Sequence, residues 1–192
     1  MPKLQLTESD FERAANALGV SVPAIKAVAE VESRGEGFLD TGEPKILFEP
    51  HIFSRLTGGV YDKPHPDISY PKWKSGAYGP ISAQHGKLQR AAALDRDAAM
   101  QSASWGLFQV MGFNWKAAGF KSLQAFVNAM YKGVDGHLDA LVGFISNDHD
   151  MLRALQNLRW GDFARLYNGP GYKANRYDEK MAVSYRKHGG VA

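Results

Sequence analysis

The chain has 192 residues, of which 44% are hydrophobic and 22% are charged. This length and composition predict a single globular domain over residues 1–192, large enough to bury its own core, and exclude disordered and fibrous proteins. The sequence has no cysteine, which excludes disulfides, cysteine-ligated zinc and thiol nucleophiles.

The formal net charge of +3 favours an anionic partner without identifying it. Lysine and arginine are scattered along the chain rather than clustered, which argues against nucleic acid as that partner. The apolar runs are shorter than the ~20 residues of a membrane span, so we expect no transmembrane segment. Residues 1–8 lack the apolar stretch of a signal peptide, so we expect none.

The first third of the chain predicts two helices and a turn. Residues 7–10 resemble a capping box, and the helix that they begin ends at Gly19. A second helix starts after Ser21 and is expected to end near Gly35. Turn residues followed by a short apolar strand over 40–49 then predict a small β-hairpin.

The rest of the chain is predicted to be almost entirely helical after one long loop. Residues 58–80, rich in glycine, proline and aromatic residues, predict a structured surface loop. Apolar spacing predicts one helix over 88–99 and a long helix over 123–145 that is bent or split at Gly133 or Gly136. The predicted fold class is therefore α+β, predominantly α-helical, with one small β-hairpin or sheet.

Glu32 is the most informative position. It shares the apolar face of the second helix with Val28, whereas Glu30 lies about 200° away, between Lys26 and Arg34, as a solvated salt-bridge residue would. Burial and the negative end of the helix dipole both favour a protonated carboxyl, which is what a general acid needs. The alternative is a glutamate that accepts backbone hydrogen bonds at the helix end.

Two further segments combine polar and aromatic residues. Residues 102–112 place small polar residues, a glycine and an amide inside an apolar run, which suits either the wall of a ligand cleft or a turn between helices. Residues 167–172 predict a tight turn whose tyrosines could stack on sugar rings. Aromatic residues of the long loop either extend a sugar-binding groove or pack the loop onto the body of the protein: Tyr61, Tyr70, Trp73 and Tyr78.

Acidic residues and histidines over 135–139 and 147–150 lack the spacing of a calcium loop or a zinc helix motif. We therefore expect no metal and no cofactor.

The three segments together resemble the lysozyme superfamily, in the branch of goose-type lysozymes and soluble lytic transglycosylases. The catalytic Glu-Ser of that branch is matched by Glu32 and Ser33. Its Gly-Leu-Met-Gln segment is matched by residues 106–109, with Phe in place of Met. Its Ala-Tyr-Asn segment, followed by Gly, is matched by residues 166–169, with Leu in place of Ala.

Residues 31–38 and 44–53 are similar to the N-acetylmuramidase domain of phage endolysins, and the resemblance covers about residues 24–186. It implies a lysozyme-like fold. Members of that family often carry a separate peptidoglycan-binding module, and we expect none in this sequence. The resemblance also implies that Glu32 is the general acid and that four residues line the sugar-binding cleft: Ser104, Gln109, Tyr167 and Asn168.

The identity of the second catalytic carboxylate is left open by the sequence. The candidates, in order, are Glu49, Asp40 and Glu43, and each of them could instead be a surface acid. Glu49 shares a strand face with residues 45 and 47. An inverting hydrolase needs such a base ~6.5–9.5 Å from the acid. A transglycosylase needs none, because the 6-hydroxyl of the substrate attacks.

The resemblance implies a peptidoglycan hydrolase that cleaves the β-1,4 bond between N-acetylmuramic acid and N-acetylglucosamine and thereby lyses bacteria. The alternatives are a lytic transglycosylase and a non-catalytic peptidoglycan-binding or virion protein. The expected partner is the glycan strand, bound by a monomer. We expect the enzyme to be made in the host cytoplasm and to reach the wall after the membrane is breached.

Overall fold

A computed structural model describes residues 2–33 and 35–191 of the chain. In these residues the chain forms a mostly helical fold with one antiparallel sheet of three short strands. The helices are α1 Glu8–Leu18, α2 Val22–Glu32, α3 Pro50–Leu56, α4 Gln84–Leu94, α5 Arg96–Gln101, α6 Leu123–Lys132, α7 Val134–Asn147, α8 His149–Gln156, α9 Trp160–Asn168 and α10 Tyr177–Lys187. The strands are β1 Ile46–Phe48, β2 Ala103–Trp105 and β3 Val110–Met111.

The boundaries of α1 follow the sequence signals. The backbone N–H of Thr7 donates to Asp10 Oδ2 at 2.7 Å, which confirms the capping box, and Gly19 ends the helix in the left-handed conformation with φ 62°. Helix α2 ends at Glu32, because Ser33 turns into extended backbone, so its predicted end near Gly35 is wrong. Among the described residues no single helix is long and apolar enough to cross a membrane, although α1 and α2 pass that test together as a pair bent by 107°.

The sheet differs from the predicted local hairpin. The predicted turn is present, and it is closed by an isolated antiparallel β-bridge between Phe38 and Pro44. The strand that follows the turn, β1, pairs antiparallel with β2, with Ile46 opposite Trp105. Strand β2 forms the hairpin with β3. Residues 102–112 therefore contain a β-hairpin rather than a turn between helices, since pairing with β1 supplies hydrogen bonds and Trp105 fills the core.

Two predicted helices are each divided into two. Asp95 adopts extended backbone, and its side chain accepts a hydrogen bond from the Ala98 N–H at 2.9 Å, so α5 begins as a separate helix. The long helix is split at Gly133, as predicted. Gly136 does not bend α7 but lies where the helix meets α6, and a Cβ there would come 2.3 Å from the carbonyl oxygen of Ala129.

Helix α2 is central because it packs against both α1 and α10. On its outer side, Glu30 accepts hydrogen bonds from Lys187 at 2.8 Å and Ser184 at 3.0 Å, both on α10. The hydrogen bond from Lys187 lowers the pKa of Glu30 to about 2. The predicted pairing of Glu30 with Lys26 is wrong, since Lys26 binds Glu8, and Arg34 lies outside the described residues.

The packing at Gly136 yields a stability prediction. We expect Gly136→Ala to lower the free energy of unfolding by about 1–3 kcal/mol, because the new methyl group collides with the α6 backbone. Gly86 is the matched control, since it is an α4 glycine with open space around its Cβ position. Gly86→Ala should raise stability by about 0.5–1 kcal/mol. Urea denaturation measures both, and equal effects would contradict the assigned α6–α7 contact.

Candidate active site

The carboxyl group of Glu32 is buried at the end of α2, with 5% of the residue exposed. The apolar face that carries it is in the core, where Ile25 and Val28 are fully buried. The side-chain amide of Asn168, the last residue of α9, donates to Glu32 Oε1 at 2.9 Å. Two helix ends that are remote in sequence therefore meet at this carboxyl.

The loop between β2 and β3, residues 106–109, forms the second wall. Gln109 has a φ of 52°, in the left-handed region that a residue with a side chain rarely adopts, at a cost of about 1–3 kcal/mol. Its amide group holds it there: Nε2 donates to the Gly106 carbonyl at 2.8 Å, and Oε1 accepts from the Ser104 hydroxyl at 2.8 Å. The side chain of Gln109 is thus fixed in one orientation.

These walls enclose a cleft of about 190 Å³. Four of the predicted residues line it, and Ser104 supports it from behind through Gln109. The described residues that line the cleft are Glu32, Phe108, Gln109, Val110, Met111, Asn114, Phe144, Tyr167 and Asn168. Sequence reasoning did not single out Met111, Asn114 and Phe144, because their meeting at the cleft is decided by tertiary packing and not by a local pattern. Two larger hollows, of about 490 and 530 Å³, lie around Glu30, whose carboxylate is already paired with α10.

Glu49 lies outside this lining, in a second polar cluster. Its backbone N–H donates to the Ser102 carbonyl at 2.9 Å and so continues the β1–β2 pairing, which places Glu49 on the sheet face that carries Leu47 and Ser104. The hydroxyl of Tyr78 donates to Glu49 Oε2 at 2.6 Å. His51 Nδ1 lies 3.3 Å from the same oxygen.

Both of these side-chain contacts of Glu49 are made by Oε2. Burial and the hydrogen bond to Glu49 raise the pKa of Tyr78 well above its ordinary value. Tyr78 therefore stays protonated and keeps donating to this carboxylate.

The other two candidate acids are less enclosed. Asp40 is exposed in the turn after Phe38. Glu43 accepts from the Thr41 hydroxyl at 3.1 Å and lies 3.8 Å from His85, away from the described lining of the cleft. Among the described residues no group of three or more histidine, aspartate or glutamate side chains is arranged to hold a metal ion.

The aromatic residues of the long loop divide into two pairs. Tyr61 stacks on Phe53 with ring centroids 5.7 Å apart, and Tyr70 is buried, so these two pack the loop onto the body. Trp73 is exposed and its indole N–H donates to Tyr78, which in turn holds Glu49. Packing onto the body is therefore confirmed for Tyr61 and Tyr70, and the sugar-binding groove stays a prediction for Trp73 and Tyr78.

His137 on α7 joins the segments that carry the site. It is buried, its Nδ1 accepts from the backbone N–H of Leu107 at 3.0 Å, and its Nε2 lies 2.8 Å from the Met130 carbonyl oxygen. Its ring stacks on Phe38, beyond the end of α2, at 5.0 Å. Glycine is required at position 106, because a Cβ atom there would lie 2.6 Å from the His137 ring.

Both contacts require the neutral imidazole with its proton on Nε2, because Nδ1 is an acceptor and the carbonyl needs a donor. Burial lowers the pKa of His137 below its ordinary value of 6.5.

Comparisons with known proteins agree with this geometry. The family described as N-acetylmuramidase matches residues 21–189. No curated protein sequence matches the chain. Among solved structures, the crystal structure of the endolysin of Burkholderia AP3 phage superposes with a TM-score of 0.90 at 40% sequence identity. That match covers 96% of this chain and 71% of the endolysin chain. The lysozyme-like fold predicted from the sequence is thereby confirmed.

The lowered pKa of His137 predicts how stability depends on pH. Because the unfolded chain binds this proton at a higher pH than the folded protein, the stability due to neutral His137 is complete above pH 6.5. It is lost as the pH falls through the folded pKa. Chemical denaturation across this range should show that the free energy of unfolding decreases as the pH falls. His137→Gln should remove this pH dependence, and His149→Gln, at an exposed position, should retain it. An unchanged slope in His137→Gln would contradict the neutral assignment.

Proposed function

This chain belongs to the N-acetylmuramidase family, and we propose that it is a phage endolysin that hydrolyses the β-1,4 bond between N-acetylmuramic acid and N-acetylglucosamine in peptidoglycan. The observation that carries the proposal is the buried carboxyl of Glu32, which lies in the cleft and is held by Asn168. The similarity to the phage endolysin supports the lytic role.

In the proposed reaction Glu32 is the general acid. Its carboxyl group gives a proton to the glycosidic oxygen, the bond from that oxygen to C1 of N-acetylmuramic acid breaks, and N-acetylglucosamine leaves with a free 4-hydroxyl. Asn168 orients the carboxyl, and Gln109 presents a fixed amide to the sugar.

Glu49 is the proposed base. A water molecule held at its Oε1 attacks C1 and passes a proton to the carboxylate, while Tyr78 fixes Oε2. The products are two glycan fragments, one of which ends in reducing N-acetylmuramic acid. Asp40 and Glu43 are weaker candidates for this role, because they are more exposed and are not anchored beside the sheet face.

A lytic transglycosylase is the second candidate. Among the described residues that line the cleft, Glu32 is the one carboxylic acid, and a transglycosylase needs no other. In that reaction the 6-hydroxyl of N-acetylmuramic acid replaces water at C1 and leaves a 1,6-anhydro end.

We also propose that the enzyme acts as a monomer on the cell wall, after synthesis in the host cytoplasm and breach of the inner membrane. The net charge of +3 suits an approach to the anionic bacterial envelope.

The catalytic role of Glu32 is tested by its removal. We expect Glu32→Gln to reduce the rate of peptidoglycan solubilisation by about 10²–10⁴-fold, because the amide cannot deliver the proton. The matched control is Glu30→Gln, a change on the same helix at a residue that binds α10, which should retain activity and lose at most about 1 kcal/mol of stability. Full activity in Glu32→Gln would show that Glu32 is not the general acid. A wild-type protein that binds peptidoglycan without solubilising it would support the non-catalytic alternative.

The identity of the products distinguishes the two reactions. We expect mass spectrometry of the released fragments to find reducing ends, and Glu49→Gln to lower the turnover number by about 100-fold or more. Fragments lighter by one water, together with an active Glu49→Gln variant, would establish the transglycosylase instead. Reducing ends from an active Glu49→Gln variant would transfer the search for the base to Asp40 and Glu43.

A further inference from the structure

Trp73 is a large apolar side chain that the fold holds in solvent. It is 59% exposed, although burial of an aromatic ring is strongly favourable. Its neighbours Pro71, Lys72 and Lys74 are exposed as well, so the ring projects from a basic stretch of the long loop. An exposed ring of this kind is available to a ligand, provided that its orientation is fixed.

Hydrogen bonds fix that orientation and connect it to the site. The indole N–H donates to the Tyr78 oxygen at 2.7 Å, and the single proton of Tyr78 is therefore donated to Glu49 at 2.6 Å. This bond holds the indole at its edge, and the exposed part of the ring is available for stacking. A ring ordered before binding loses less entropy when a ligand arrives.

Strand β1 and its hydrogen bonds connect the loop beside the cleft to this ring. At one end of β1 the Lys45 carbonyl accepts from the Gly106 N–H, beside Gln109. Glu49 lies four residues further along, a distance of about 13 Å in an extended strand. Tyr78 and Trp73 are joined to Glu49 by two successive hydrogen bonds. We therefore expect a glycan strand that extends past Glu49 to reach Trp73, and a disaccharide bound in the cleft not to reach it.

We propose that Trp73 is an outlying sugar-binding subsite, on which a pyranose ring of the glycan strand stacks beyond the bond that is cleaved. This inference rests on the proposed function, since it takes the peptidoglycan strand as the ligand. The hydrophobic face of a pyranose matches the indole face, and Lys72 and Lys74 suit the carboxylates of the muramyl substituents. Tyr78 is the residue that orients the platform.

An anionic membrane is the competing ligand for an exposed tryptophan between lysines. The observations favour the glycan for two reasons. The indole N–H donates to Tyr78, which in turn is hydrogen-bonded to Glu49. Within residues 71–76, Trp73 has no large apolar neighbour. A membrane-inserting segment would need more apolar area than one ring.

The test measures glycan affinity in the Glu32→Gln background, where binding proceeds without cleavage. The probes are peptide-free disaccharide and octasaccharide prepared from peptidoglycan glycan strands, with vesicles of phosphatidylglycerol as a separate probe. The variants are Trp73→Ala, Trp73→Phe and Val60→Ala. Val60 is the control because it is an apolar residue of the same loop that is 66% exposed. Thermal unfolding verifies that each variant is folded.

We expect Trp73→Ala to raise the Kd for the octasaccharide about 10-fold and to leave the Kd for the disaccharide unchanged. The octasaccharide Kd of Trp73→Phe should lie between those of Trp73→Ala and the parent, since phenylalanine keeps a ring and loses the orienting N–H. The Kd of Val60→Ala should equal that of the parent. Equal Kd values for Trp73→Ala and its parent would overturn the subsite, as would loss of vesicle binding with intact octasaccharide binding. If the parent binds neither oligosaccharide, the proposed function itself fails.

Discussion

The fold of the site depends on one buried, neutral histidine. His137 accepts a hydrogen bond from the N–H of Leu107, contacts the carbonyl oxygen of Met130 and stacks on Phe38. These three contacts bring the loop that carries Gln109, helix α6 and the segment that follows Glu32 to one point. The imidazole performs this role because it offers one donor and one acceptor in opposite directions from a flat ring. An aliphatic side chain would fill the space and leave two buried backbone groups unsatisfied.

Helix α2 places two glutamates in opposite environments two residues apart. Glu30 is paired with Lys187 on α10, which lowers its pKa to about 2 and keeps it ionised. Glu32 lies on the face that enters the core, where the side-chain amide of Asn168 donates a hydrogen bond to its carboxyl group. The helical period alone produces this separation, since about 200° lies between the two side chains. One helix thus supplies both the attachment to α10 and the candidate acid.

The small sheet links the cleft to the loop aromatics. Its core face carries Ile46 and Trp105, and its other face carries Ser104, which supports Gln109, and Glu49, which Tyr78 holds. The strained backbone of Gln109 is tolerated because hydrogen bonds on both sides of its amide group determine its position. The side chains proposed to contact sugar therefore rest on backbone that is fixed by pairing, which is what precise positioning of a substrate requires.

Local signals in the sequence were sufficient for the capped start of α1, the buried face of α2 that carries Glu32 and the break at Gly133, whereas Gln109, Tyr167 and Asn168 were identified by the family resemblance. These features depend on side-chain periodicity and on backbone conformations set by neighbouring residues. The partners were decided only by tertiary structure: β1 pairs with β2 rather than with the preceding turn, Glu30 binds α10, and Asn168 meets Glu32. Such contacts join residues far apart in the chain, and their energy comes from burial and hydrogen bonds that exist only once the core has assembled.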